Sequence, residues 1–176
     1  MRHRLAYPAF FRATIRELLG SGRTDAAVTG GALVGVAAWR GPTATRAGWS
    51  AGLVVDRLLV RLCYPRGSLH LDEGFAAIAG LHPAGPHWYL AFIGIEPRCQ
   101  GRGLGRALLR PVLHQADAAA LPCYLETPFA RTLDFYRGLG FEVASTVPMA
   151  FGLGPLWTML RPASVGSARA ATAPMS

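Results

Sequence analysis

The stretch RCQGRGLGRALL at residues 98–109 holds three glycines and three arginines within nine positions. Apolar residues dominate the run before it, HWYLAFIGIEP at 87–97, which predicts a buried strand. After it, apolar residues recur at helical spacing over 103–119, and Pro111 predicts a kink in that helix. The stretch is therefore a glycine-rich turn between a strand and a helix.

This turn has the chemistry of an anion site. The start of a helix presents free backbone N–H groups and the positive end of the helix dipole. Glycine lets the backbone approach an anion without a Cβ in the way. Three arginines add positive charge to the same turn: Arg98, Arg102 and Arg106. A pyrophosphate is the expected occupant, and a tight turn that uses glycine for packing alone stays open as the alternative.

Two familiar phosphate motifs are excluded. A P-loop ends in Gly-Lys-Ser/Thr, and this chain contains no lysine. A dinucleotide fingerprint has the pattern G-x-G-x-x-G, and after Gly101 and Gly103 its third glycine position holds Arg106. The turn therefore belongs to a different class of anion-binding loop.

The rest of the chain predicts an α/β (α+β) domain with a mixed sheet. Helices are expected at 8–20, 49–63, 68–80, 103–119 and 131–140, the last capped by Gly140. Strands are expected as a hairpin turning at Gly30-Gly31, and at 87–96, 122–127, 141–147 and 156–162. The succession of strand, helix and strand at the centre requires a parallel crossover. We expect one domain over 1–162 and a disordered tail over 163–176.

Composition limits the classes of partner. The 176 residues carry a formal charge of +8, and all eighteen basic residues are arginine. The arginines are dispersed and no nucleic-acid motif is present, so no nucleic-acid partner is expected. Since no run is long enough to span a bilayer and no signal-peptide pattern begins the chain, we expect a cytoplasmic protein without a membrane partner. Three cysteines without metal-ligand spacing predict reduced thiols and no metal site.

The glycine turn also resembles a known loop. Its residues Gln100 to Gly105 match Q-x-x-G-x-G, which is similar to the pyrophosphate-binding loop of the GNAT superfamily of acetyl-CoA-dependent acyltransferases. The segment DFYRGLGF at 134–141 resembles the end of the C-terminal helix of that superfamily. Within it, HWYLAFIGIEPRCQGRGLG, LPCYLET and RTLDFYRGLGFEV are most similar to segments of the puromycin N-acetyltransferase group.

The resemblance implies a GNAT fold, in which two central parallel strands splay apart and acetyl-CoA, the co-substrate, lies in the gap. It implies cofactor contacts from two backbone segments and one further residue. These are the strand residues Ile93, Gly94 and Ile95, the loop residues Gln100, Gly101, Arg102, Gly103, Leu104, Gly105 and Arg106, and Thr127.

The implied reaction is transfer of acetyl from the thioester to a primary amine of a small molecule. It needs a base for the ammonium, a donor for the oxyanion and an acid for the leaving thiolate. Tyr136 matches the family tyrosine beside the sulfur, and a backbone N–H near Ile95 is the family's usual oxyanion donor. The base stays open between Glu126, Glu96, Tyr136 and a water. Two histidines, His82 and His87, are expected on the surface or in a loop, and contact with the substrate stays open as the alternative.

The sequence also departs from the family pattern. Phe129 and Thr132 stand where asparagine is common, which affects fine cofactor contacts. Only the helix at 8–20 precedes the hairpin, where the family has a strand and a helix, so we expect a misplaced gene start or a domain lacking its first strand. Alternatives to small-molecule acetylation are a non-catalytic acetyl-CoA-binding module and acetylation of protein amines. Assembly as a homodimer stays open.

Overall fold

The computed structural model describes residues 22–43, 80–148 and 155–164, which form a six-stranded mixed sheet with two helices. The strands are β1 (Arg23–Thr29), β2 (Ala32–Arg40), β3 (Trp88–Ile95), β4 (Cys123–Thr127), β5 (Glu142–Pro148) and β6 (Pro155–Arg161). The helices are α1 (Leu104–Ala118) and α2 (Leu133–Arg137), and short 3-10 turns occupy Pro97–Cys99 and Ala130–Thr132. The order across the sheet is β1-β2-β3-β4-β6-β5. The predicted fold class is confirmed.

Several predicted elements lie outside the described residues. They are the helices at 8–20 and 49–63, nearly all of the helix at 68–80, and most of the tail from 163 onward. Whether a strand precedes β1 also falls there.

The first two strands form the predicted hairpin. Its turn is Gly30-Gly31, with φ of 57° and 78°. Two successive residues with positive φ match the right-handed twist of paired strands, and glycine adopts that conformation without strain. The hairpin then places β2 antiparallel to β3, with Gly35 opposite Ile95.

The parallel pair β3 and β4 is joined over only three residue pairs: Trp88 with Cys123, Tyr89 with Tyr124, and Leu90 with Leu125. Beyond these pairs β3 continues to Ile95 and β4 to Thr127. The outer edges of both strands stay paired, because β3 bonds to β2 and β4 bonds to β6. The two strands therefore part at the centre of the sheet while the sheet itself remains continuous.

One face of the sheet is covered by α1. Its buried side chains are Leu108, Leu109, Val112, Leu113 and Ala116. They meet Ala37 and Trp39 of β2 and the inward residues of β3 and β4. The helix runs through Pro111, which lies on its exposed side.

The end of α2 differs from the expected one. The helix stops at Arg137, and the residue after it, Gly138, has an ordinary φ of −65°. Gly140, expected as the cap, lies further on with φ of 88°. There the chain reverses, so that the N–H groups of Leu139 and Phe141 donate to the carbonyl of Tyr136 at 2.9 and 3.1 Å. The prediction of a helix reaching Gly140 is wrong, because a compact turn ends it earlier.

An ion pair fastens the end of α1 to the end of β6. Arg161 donates to both carboxylate oxygens of Asp117 at 2.7 and 2.9 Å, and its Nε donates to the carbonyl of Leu139 at 3.1 Å. The Arg161 guanidinium, followed by the hydroxyl of Ser164, holds the pKa of Asp117 below its usual value although partial burial opposes this.

We predict that Asp117→Asn lowers the free energy of unfolding by about 1.5 kcal/mol at pH 7, the low end for hydrogen bonds to charged groups, because the carboxylate is partly exposed. Because the folded-state pKa is depressed, the unfolded chain binds the additional proton as the pH falls. The contribution is therefore complete above the unfolded-state pKa and is lost as the pH falls through the folded-state pKa. Urea unfolding at pH 7 and at pH 3 measures it, with a smaller difference expected at pH 3.

Asp134→Asn is the matched control. Its carboxylate is 93 % exposed and bonds Arg137 one helical turn away. Exposed pairs of this kind contribute only about 0–1 kcal/mol. A loss for Asp117→Asn no larger than for this control would contradict the assigned role.

Candidate functional site

A cavity of about 900 Å³ lies where β3 and β4 part. Among the described residues, six parts of the chain line it: the end of β3, the glycine turn, the first residues of α1, the end of β4, the segment that leads into α2, and α2 itself. Most of the residues predicted to contact the cofactor are brought together here. They are Ile93, Gly94, Ile95, Gln100, Gly101, Gly103, Leu104, Gly105, Arg106 and Thr127.

The edge of β3 that faces the cavity carries backbone groups able to bind a ligand. The N–H of Glu96 donates to Val34 of β2 at 2.8 Å. Since successive residues of a strand turn their N–H and C=O to opposite edges, Ile95 and Ile93 turn theirs toward the gap. The carbonyl of Ile95 accepts a hydrogen bond from the Gln100 side chain at 3.0 Å. Gln100 thus ties the glycine turn to the end of the strand.

The three glycines of the turn serve two different purposes. Gly101 and Gly103 have φ of 75° and 78°, and a Cβ built on either would have no other atom within 4 Å. Their backbone conformation favours glycine, and their outer side is open to a ligand. A Cβ on Gly105 would lie 3.2 Å from the ring of Phe135. The packing alternative therefore holds for Gly105, which lets α1 approach α2, and does not account for the other two.

The arginines near the turn do not all reach the cavity. Arg106 lines it and donates to the carbonyl of Gly138 at 3.0 Å. Arg131, which the sequence did not single out, also lines it, with its guanidinium 4.9 Å from the ring centre of Phe129. Arg98 and Arg102 are exposed and lie outside the lining.

Tyr136 lines the cavity from the helical side of the sheet. Its ring packs edge-on against Phe135 and Phe141, with centroid distances of 5.1 and 6.0 Å. Burial raises the pKa of Tyr136 to about 12. The phenol therefore stays protonated at neutral pH, which suits a proton donor better than a base.

Glu126 lines the cavity from the other side. Side chains alternate along β4, and Leu125 belongs to the core under α1, so Glu126 and Tyr124 point to the opposite face. The Glu126 side chain is 8 % exposed, and its Oε1 lies 3.0 Å from Nε2 of His82. Burial, and then the charge of Glu126, raises the pKa of Tyr89 well above its usual value. A buried carboxylate is thus held among tyrosines and a histidine.

Glu96, the other candidate base, does not join this group. Its side chain is exposed, and it follows the last residue of β3 at the start of the 3-10 turn. It is not among the residues that line the cavity.

Thr127 lines the cavity, but its hydroxyl is used within the chain. That hydroxyl accepts a hydrogen bond from the N–H of Phe129 at 3.2 Å and lies 2.9 Å from the hydroxyl of Thr132. Thr132 in turn donates to the carbonyl of Phe129 at 2.7 Å. The two threonines shape the turn between β4 and α2.

His82 lies in a loop, one of the two positions expected for it. It is not on the surface, because its side chain is only 6 % exposed and lies against Glu126. The breaker-rich segment LHPAGP at 81–86 gives no signal that one of its side chains reaches the middle of the sheet.

Comparisons with known proteins agree with this architecture. Residues 63–141 match the model of the acetyltransferase (GNAT) family. A mycothiol acetyltransferase of Mycobacteroides abscessus is 33 % identical over 109 residues, which cover 56 % of this chain and 37 % of that protein. The N-alpha-acetyltransferase RimI of Mycobacterium tuberculosis is 37 % identical over 70 residues, 39 % of this chain and 44 % of that protein. The chain thus spans less than half the length of these relatives.

A solved structure extends the match to nearly the whole chain. The structure described as histone acetyltransferase HPA2 and related acetyltransferase of Corynebacterium glutamicum superposes with a TM-score of 0.61 and 25 % identity. The alignment covers 90 % of this chain and 77 % of that one. The fold is therefore that of GNAT acetyltransferases. The expected closeness to the puromycin group is not supported by these matches.

Neither a membrane-spanning helix nor a metal-binding cluster is present among the described residues. None of their helices is long and apolar enough to cross a membrane. Among the same residues there is no cluster of three or more His, Cys, Asp or Glu side chains placed to hold a metal ion.

We predict that the Tyr136 phenol ionises only near pH 12, since burial disfavours its charged form. A phenolate absorbance titration of the wild type minus that of Tyr136→Phe isolates this group. The difference should stay flat up to about pH 11. A difference that develops near pH 10, the value of a solvated phenol, would show that the ring is not buried as described.

Proposed function

We propose that this chain, whose fold and family match support the GNAT superfamily, is an acetyl-CoA-dependent N-acetyltransferase. In this proposal it moves acetyl from the thioester to a primary amine of a small molecule. The observation that carries the proposal is one continuous cavity, which begins at the glycine turn, follows the unpaired edge of β3 and reaches Glu126 and Tyr136. The order of these parts fits a long ligand with an anionic end and a reactive end.

The anionic end has a suitable place at the turn. The N–H groups of residues 101–106, at the start of α1, would hold the pyrophosphate, and the open side of Gly101 and Gly103 lets it approach. Amide groups of the pantetheine arm would pair with the backbone of β3 at Ile93 and Ile95, as an added strand pairs with an exposed edge.

Each side of the gap would then supply one proton step. Glu126 would act as base toward the acceptor ammonium, directly or through a water, because it is the one carboxylate among the described residues that line the cavity. Tyr136, protonated at neutral pH, would donate to the leaving thiolate from the opposite side. The N–H of Ile95, which faces the gap, would stabilise the oxyanion.

The acceptor of the acetyl group is either a small-molecule amine or a protein amine. The relationship to RimI favours a protein amine, whereas the relationship to a mycothiol acetyltransferase favours a small molecule. Release of CoA thiol measured with small amines and with peptides bearing free N-termini distinguishes the two. Tight acetyl-CoA binding without turnover on either panel would instead support the non-catalytic module.

We predict that Gly103→Val weakens acetyl-CoA binding by about 2 kcal/mol or more, roughly 30-fold in Kd. The side chain would fill the open face of the turn and disturb the backbone that donates to the pyrophosphate. Isothermal titration calorimetry measures the effect.

Gly31→Val is the matched control, because Gly31 has the same φ of 78° and equally open surroundings in the remote hairpin. It should lower stability through backbone strain and leave acetyl-CoA affinity unchanged. Equal affinity of the wild type and a folded Gly103→Val protein would remove the turn from the binding site.

We predict that Tyr136→Phe lowers kcat by roughly 10²-fold, the low end for a general acid. The effect is limited because a thiolate whose conjugate acid has a pKa of about 8.5 can leave without a proton donor. Acetyl-CoA affinity should be unchanged, since the ring and its packing remain. Steady-state kinetics and calorimetry measure the two quantities, and full activity in the variant would reduce Tyr136 to a packing residue.

A further inference from the structure

A line of side chains leads from Glu126 away from the cavity. Oε1 of Glu126 lies 3.0 Å from Nε2 of His82, an ion-pair distance, but this buried oxygen accepts no aligned hydrogen bond from the described residues. Nδ1 of His82 lies 3.4 Å from Nε2 of His87, and Nδ1 of His87 lies 2.8 Å from the carbonyl of Gly85. The first two side chains are buried, and His87 is half-buried beside the exposed loop of Gly85. The line therefore connects a carboxylate in the cavity with the surface.

The carbonyl of Gly85 determines how many protons are needed for every contact along this line to be a hydrogen bond. A carbonyl only accepts, so His87 places a proton on Nδ1. The contact between His87 and His82 needs a second proton, and the contact between His82 and Glu126 needs a third. Two neutral imidazoles supply only two. With Glu126 ionised and both histidines neutral, the three groups carry two protons. All three contacts therefore become hydrogen bonds only when one additional proton is bound.

Aromatic rings hold the buried histidine in place. His82 lies with its ring centre 4.7 Å from that of Tyr89 on β3 and 4.4 Å from that of Tyr124 on β4. Its orientation toward both Glu126 and His87 is thereby restricted. Among the described residues, the titratable or charged groups that face the line are Tyr89, Tyr124 and, next to Tyr89, Arg40 of β2.

The neighbouring tyrosines do not take part in the proton exchange, so the additional proton is carried by Glu126, His82 or His87. Burial raises the pKa of both tyrosines, so they stay neutral. Burial also lowers the pKa of His87, which favours release of a proton from the end nearest the solvent.

We propose that Glu126, His82 and His87 act as one composite base that takes the proton of the acceptor ammonium and returns it to solvent through His87. The proposal rests on the N-acetyltransferase function proposed above. It assigns His82 and His87 a role that neither the fold nor the relatives specify.

The step balances in protons and charge. One N–H bond of the ammonium breaks, and the nitrogen keeps the electron pair with which it attacks the thioester carbonyl. The proton binds at the Glu126 end and completes the three contacts. As His82 passes a proton to Nε2 of His87, the Nδ1 proton of His87 leaves to water once its bond to the Gly85 carbonyl opens. The line then has its earlier charge, and nothing is oxidised or reduced.

The shared proton can be tested without turnover. Histidine ring signals are followed by NMR against pH in the full chain and in Glu126→Gln. The composite base predicts that Glu126→Gln shifts the titration midpoint of His87 when His82 is present and not in a His82→Gln background, where a purely through-space effect of the Glu126 charge on His87 would persist. Exposed His114 on α1 serves as the internal control. An unchanged His87 midpoint would overturn the proposal.

Steady-state kinetics of histidine variants test whether the proton of the acceptor ammonium leaves through His82 and His87. In His87→Gln we expect kcat/KM at pH 7 to fall about tenfold, less than for loss of a whole general base. The loss should shrink at alkaline pH, where the amine is already neutral, and added imidazole should restore activity. His114→Gln should match the wild type. His82→Gln should show the same pH dependence and a larger loss.

The outcomes separate the two proposals. A wild-type protein that does not bind acetyl-CoA refutes the acetyltransferase function, and the NMR titration still decides whether the proton is shared. A protein that acetylates amines, with pH profiles unchanged in both histidine variants, refutes the composite base and leaves the acetyltransferase function intact.

Discussion

The structure depends on the short pairing between β3 and β4. The strands share three residue pairs and then separate, although their outer edges stay bonded to β2 and β6. If the pairing continued, the edge of β3 would be bonded to β4 and the gap would close. If β2 and β6 were not in place, the open edges would be costly, because unpaired backbone groups need partners. The gap is thus stable only inside a sheet that is complete on both sides.

The separation also decides which residues can work together. Tyr136 approaches from the face covered by α1, whereas Glu126 belongs to the opposite face with Tyr124. In a closed sheet these two side chains would be kept apart by the backbone. The gap lets one cavity touch both, so a protonated phenol and a carboxylate can serve a single ligand from opposite directions.

Much of the fold and of the glycine turn was predictable from the sequence, because the sequence patterns that specify them are local. The Gly30-Gly31 turn, the apolar run of β3 and the glycine turn each carry their conformation within a few residues. Local patterns could not decide which of the two strand-end carboxylates, Glu126 or Glu96, is the better candidate for the general base. Glu126 lies within β4 with its side chain only 8 % exposed, whereas Glu96 falls just past β3 and is exposed. That difference depends on what covers each face. The contact of His82 with Glu126 joins segments distant in the chain, and no spacing rule connects them.

The bond between Arg106 and Gly138 joins the beginning of α1 to the end of α2. Arg106 lies in the first turn of α1, and the Gly138 carbonyl follows α2, which carries Tyr136. Because a guanidinium has five donors, the bond to Gly138 occupies only part of the hydrogen-bonding capacity of a side chain that also lines the cavity. The glycine turn and the helix that carries the tyrosine are in this way mechanically connected through one side chain.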